Sequence, residues 1–167
     1  MLLTRAGGTA GGAYGQIPSW LPKPKVRVGR VLVASASHPA YAIEGDIVSI
    51  GLPHGHMLAT AVGPSVPEEG QFPVPETTPC VFTLTLTRIS GSVPLRSGAF
   101  TTVDDRGHLH RLRVSLQGGR PLPGSARPGK TVTLVLKAVL PTGSGRLEWS
   151  PLRSKPIASW DFDVEID

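Results

Sequence analysis

From Val81 to Thr87 the chain reads Val-Phe-Thr-Leu-Thr-Leu-Thr, an apolar/polar alternation with a period of two. Successive side chains of an extended strand point to opposite faces, so Phe82, Leu84 and Leu86 share one face and Thr83, Thr85 and Thr87 the other. The same period returns at Thr131–Leu140, where Val132, Leu134, Leu136, Ala138 and Leu140 fall together. It closes the chain at Ala158–Ile166, with Trp160, Phe162, Val164 and Ile166 inward and Ser159, Asp161, Asp163 and Glu165 outward. No window holds a helical period over ten residues. Breakers are frequent: 20 Gly and 17 Pro in 167 residues exclude a coiled coil or helical bundle. The apolar residues, 40% of the chain, are gathered in runs that can build a core, which argues against full disorder.

Further short strands are expected at Val26–Ala34, Asp46–Ile50, Met57–Val62, Phe100–Val103, His108–Leu116 and Arg146–Trp149. Asp104-Asp105-Arg106-Gly107 reads as a hairpin turn with Gly where φ is positive, and Arg127-Pro128-Gly129-Lys130 as a second turn. Residues 63–79 hold five prolines and read as a long loop. One-sided alternation means antiparallel sheets with one wet face, and two such sheets must bury their dry faces against each other. The expected fold is all-β, an immunoglobulin-like antiparallel β-sandwich over residues 26–167. Residues 1–25, rich in Gly, Ala and Pro, form a flexible arm in which Pro18, Pro22 and Pro24 favour an extended course and Trp20 packs on the domain.

Charge excludes some partners. The formal net charge is +5, but the basic residues are scattered and none is interleaved with aromatics, so nucleic acid is not the expected partner. No apolar run approaches the roughly 20 residues of a membrane helix. Met1-Leu2-Leu3-Thr4-Arg5 leads into Gly and Ala rather than the apolar stretch of a signal peptide. Cys80 is the single cysteine; it opens a strand and reads as a small buried hydrophobe.

Two His-X-His pairs, His54-Gly55-His56 and His108-Leu109-His110, place imidazoles at i and i+2 on one face of a strand. Copper or zinc accepts such nitrogens, and the two pairs meeting across a sandwich would supply four ligands. Against that, His54 and His56 flank a Gly after Pro53, a turn where polar residues are expected. His110 is in phase with Leu112, Val114 and Leu116, which suits a core-edge residue bonded to a backbone group. The row Asp161, Asp163, Glu165 lies along one strand and cannot wrap a calcium ion; it reads as a charged face, opposite Arg111 and Arg113. There is no Gly-X-Ser-X-Gly elbow and no phosphate loop with a helix behind it, so no catalytic set is expected.

The order of these pieces carries a resemblance over residues 80–166. The alternating strand, Phe100, the Asp104-to-His110 turn, Pro128-Gly129-Lys130 before a strand, and the closing Trp160-Asp161-Phe162-Asp163-Val164 together resemble an immunoglobulin-like domain of unknown function from Gram-positive and actinobacterial envelope lipoproteins. They are also similar to small secreted immunoglobulin-like antigens of mycobacteria. Arg88 stands where that family often has Asn, and His110 where it has a tyrosine-like residue. The resemblance implies a noncatalytic module, displayed in the cell envelope or secreted, that binds a protein or cell-wall partner. On that reading residues 1–25 serve as a spacer behind an anchor.

Overall fold

Alternating strands with one apolar face have a single way to keep that face dry, and here two sheets close on each other around it. The computed structural model describes residues 31–67, 70, 72–153 and 155–166. The arm 1–25, with Trp20, and residues 26–30 of the first expected strand lie outside them. Thirteen strands are present among the described residues: β1 Val31–Ala34, β2 Ala40–Ile43, β3 Ile47–Leu52, β4 Gly55–Ser65, β5 Thr77–Gly91, β6 Val93–Pro94, β7 Phe100–Asp104, β8 Leu109–Arg111, β9 Arg113–Leu116, β10 Ser125–Ala126, β11 Val132–Pro141, β12 Gly143–Trp149 and β13 Ala158–Val164. The only helical piece among the described residues is the 3-10 turn Ser97–Ala99.

One sheet has six strands in the order β1-β3-β4-β5-β11-β9, the other five in the order β2-β13-β12-β7-β8, and β10 pairs with β6 in a separate ribbon. The all-β sandwich is therefore as expected, with more strands, several of them longer than expected. Most pairs are antiparallel, but β1 runs parallel to β3 and β2 parallel to β13.

The expected strand His108–Leu116 is corrected to two. Residues Leu109–Arg111 pair with β7 in the five-stranded sheet, and Arg113–Leu116 pair with β11 in the six-stranded one. Buried Leu112 marks the crossing. The same device closes the opposite flank, where the chain leaves β1 in one sheet and enters β2 in the other. Two crossings thus join the sheets at both lateral edges of the sandwich.

The core lies between the sheets. Phe82 of β5 meets Phe162 of β13 edge to face, ring centroids 4.8 Å apart. Trp149 stacks on its ladder neighbour Phe100 at 5.6 Å. Trp160 donates its ring N–H to the Asp46 carbonyl at 3.3 Å, tying β13 to the turn that leads into the other sheet. Ser159, expected outward, is buried.

Candidate binding surface

Strands β2, β13 and β7 all end, and β12 begins, at the same end of the five-stranded sheet. Outward residues there, with the inward-facing Phe162 and Asp104 at the sheet's end, line an open hollow of about 790 Å³. Its apolar lining comes from Ile43, Val103 and Phe162. Its walls carry Glu44, Asp104, Asp105, Asp161, Asp163 and Glu165, against the single guanidinium of Arg146. The outward acidic row of the last strand is thus part of a larger set, which sequence periodicity along one strand does not reveal.

The expected facing of this row by Arg111 and Arg113 is corrected. Arg111 lies on β8, three strands from β13, and Arg113 belongs to the other sheet. The ladder partner of Asp161 is Arg146. That guanidinium is spread among several groups: its Nε lies 3.8 Å from Glu148, and it sits over the Tyr41 ring at 5.9 Å. Asp163 accepts a 2.6 Å hydrogen bond from Ser144, and Glu44 accepts one of 2.8 Å from the Gly63 N–H. Beside the hollow, Tyr41 and Ile43 on edge strand β2 are 68% and 63% exposed.

Asp104 is the best-held carboxylate of the set, with its side chain 7% exposed. Its Oδ1 accepts the backbone N–H of Arg106 (3.0 Å) and of His108 (2.8 Å). Its Oδ2 accepts from His108 Nδ1 (3.2 Å) and His110 Nε2 (3.1 Å). Burial works to raise its pKa. The bonds from the His110 ring, the His108 backbone and ring and the Arg106 backbone outweigh that and hold it well below the usual carboxylate range. The turn closes as expected, with Gly107 at φ 83° donating to the Asp104 carbonyl at 3.0 Å. His110 is indeed at the core edge, but its partner is this carboxylate and not a backbone group.

The two His-X-His pairs are not brought together. β3 starts beside the hollow and ends at Leu52, so the β3–β4 hairpin holding His54 and His56 lies at the opposite end of the sandwich. There His56 Nε2 bonds Ser49 Oγ at 2.8 Å. The intervening Gly55 has a structural reason: a Cβ on it would lie 2.4 Å from the Ser92 carbonyl oxygen. Among the described residues no group of three or more His, Cys, Asp or Glu is arranged to hold a metal ion. Cys80 is buried as expected, and burial raises its thiol pKa to about 11 against a smaller lowering by the Leu140 backbone. Among the described residues no helix is long and apolar enough to cross a membrane.

Fold and surface together define a β-sandwich with an acidic hollow at one end. No protein-family model matches the chain, and no curated protein matches it. Among solved structures it is similar to MPT63, a secreted protein from Mycobacterium tuberculosis. Identity is 17%, the TM-score is 0.53, and the match covers 76% of this chain and all of that one. A β-sandwich protein from Clostridium difficile is similar over 75% of this chain and 95% of its own, at 9% identity and a TM-score of 0.45. The likeness to MPT63 is one of fold. It supports the sandwich and not the particular lipoprotein family that the sequence resembles.

Proposed function

We propose that this chain is a noncatalytic interaction module that takes a cationic partner, a basic polypeptide or an amine-bearing wall component, in the acidic hollow. The carrying observation is the imbalance of six carboxylates to one guanidinium around an open hollow. Concave, low-dielectric walls of one charge sign focus the field and raise the local concentration of the opposite charge. Display outside the cell belongs to this reading. The secreted state of MPT63 and the resemblance to exported domains support it.

The test is calorimetric titration of hexalysine at low ionic strength. It uses the full chain with Lys23→Gln, Lys25→Gln, Arg27→Gln and Arg30→Gln, which removes the cations that precede the first strand as competitors. Saturable binding is expected. It is lost when Asp161→Asn and Asp163→Asn are added, and lost in ~1 M salt, where the Debye length falls to about 3 Å. No binding, or binding indifferent to the two Asn substitutions, overturns the reading.

A further inference from the structure

The first thirty residues contain Arg5, Lys23, Lys25, Arg27 and Arg30 and not one Asp or Glu. The whole net charge of +5 therefore resides there, and residues 31–167 are balanced at twelve of each sign. Four of the five cations fall within residues 23–30, directly before β1. We infer that this segment, Lys23–Arg30, is the resident occupant of the acidic hollow, so that the module carries its own competitor. This rests on the hollow being a cation-binding surface, as proposed above, and adds what occupies it before a partner arrives.

Topology places the segment at the right end of the molecule. Val31 is the ladder partner of Ile47, the first residue of β3. Ile47 follows the tight turn from Ile43 through Glu44, Gly45 and Asp46, closed by the Asp46 N–H on the Ile43 carbonyl at 3.1 Å. Ile43 and Glu44 are themselves part of the hollow. The chain therefore enters the sandwich beside the hollow's rim and not at the far end, where the histidine hairpin lies.

Reach agrees. From the edge of one sheet to the outer face of the other is about 10 Å, and three strand spacings from β2 to β7 add roughly 15 Å. An extended chain advances about 3.3 Å per residue, so the eight residues from Lys23 to Arg30 span roughly 26 Å. Lys25, six residues before Val31, reaches about 20 Å, which brings it over Asp161 and Asp163 of β13. Being tethered, the segment acts at an effective concentration of order millimolar, so a free partner must compete with it.

Zero-length carbodiimide coupling tests the contact directly, because it joins a lysine amine to a carboxylate only when they touch. The full chain is treated dilute and at low salt, as a mixture of isotopically light and heavy protein, and cross-linked peptides are read by mass spectrometry. Links from Lys23 or Lys25 to Glu44, Asp161, Asp163 or Glu165 within one chain are expected, and ~1 M salt abolishes them. Links confined to carboxylates outside the hollow, such as Glu76 or Glu148, overturn the inference. So do links only between light and heavy chains, which would make a second copy the occupant, or no links at all. Hexalysine titration of the native chain, beside the variant with four Gln, separates the two ideas. The native chain should bind at least about tenfold more weakly. Equal binding removes the resident segment and leaves the hollow's cation affinity standing, whereas no binding to either protein removes the affinity itself.

Discussion

Asp104 shows how much one side chain can organise. Its two oxygens take four donors, from Arg106, His108 and His110, and so fix the turn that joins β7 to β8. An amide in its place has one acceptor oxygen and presents N–H groups to a ring N–H. Asp104→Asn should lower the melting temperature at about pH 7. The sign of the pH dependence follows from the lowered pKa. The stabilisation is fully present above the unfolded-state value of about 3.9 and fades as pH falls toward the folded-state value. Native and variant melting curves should therefore converge between about pH 4 and pH 2, and a gap unchanged by acid would contradict this account. Arg88 makes the opposite point. It stands at φ 48°, in the left-handed region, with a disturbed register to β4 close by. That conformation costs a residue with a Cβ roughly 1–2 kcal/mol, and Gly or Asn far less. Arg88→Gly should raise unfolding stability by about 1 kcal/mol in urea titration, despite adding backbone freedom to the unfolded chain.

At the scale of elements, backbone approach matters as much as side-chain pattern. At the end of β5 Gly91 has φ 65°, and a Cβ there would lie 2.1 Å from the His54 carbonyl oxygen. That same oxygen accepts the Ser92 N–H at 2.7 Å, so the hairpin has nowhere to retreat. Gly118, at φ 82°, has open space around its Cβ position. Both Gly→Ala changes carry the conformational cost, but Gly91→Ala carries a backbone clash as well. It should destabilise by at least about 1 kcal/mol more than Gly118→Ala, read as the difference in urea midpoints. The long alternating strands were readable from the residues alone: Phe82, Leu84, Leu86, Leu134, Leu136, Trp160 and Phe162 are buried as their period predicts. The crossing at Leu112 was not, because alternation runs through it unbroken and a pattern of faces does not say which sheet owns them. Nor was β2, whose four residues Ala-Tyr-Ala-Ile are too short to establish a period. The acidic hollow escaped for a different reason. Its carboxylates come from β7, β13 and the turns after β2 and β7, and only sheet order brings them together. Asp161 and Asp163 were readable as an outward row, but the membership of Glu44 and Asp104 was not.

For the molecule as a whole, the question is whether two sheets make one folding unit or two. Each sheet has one dry face, so neither is stable without the other, and the contacts that join them should govern both. Phe82 and Phe162 sit at that junction. Space for the Phe162 ring is made by Gly145 on the neighbouring strand, where a Cβ would lie 2.5 Å from the ring. The edges add to the coupling, since β1 passes directly into β2 and β8 into β9, each linking one sheet to the other by a few residues. Phe82→Ala removes a fully buried ring from β5 and should cost about 3–5 kcal/mol. If the sandwich is one cooperative unit, hydrogen exchange in the variant should accelerate in β12 and β13 of the five-stranded sheet as much as in β5 and β11 of the six-stranded one. A Trp20→Phe chain should then show one urea transition by tryptophan fluorescence, which reports Trp149 and Trp160 in one sheet, and by far-ultraviolet circular dichroism, which reports both. Faster exchange confined to β5 and its neighbours would mean that the five-stranded sheet keeps structure by itself. The acidic hollow, which lies wholly on that sheet, would then survive loss of its partner.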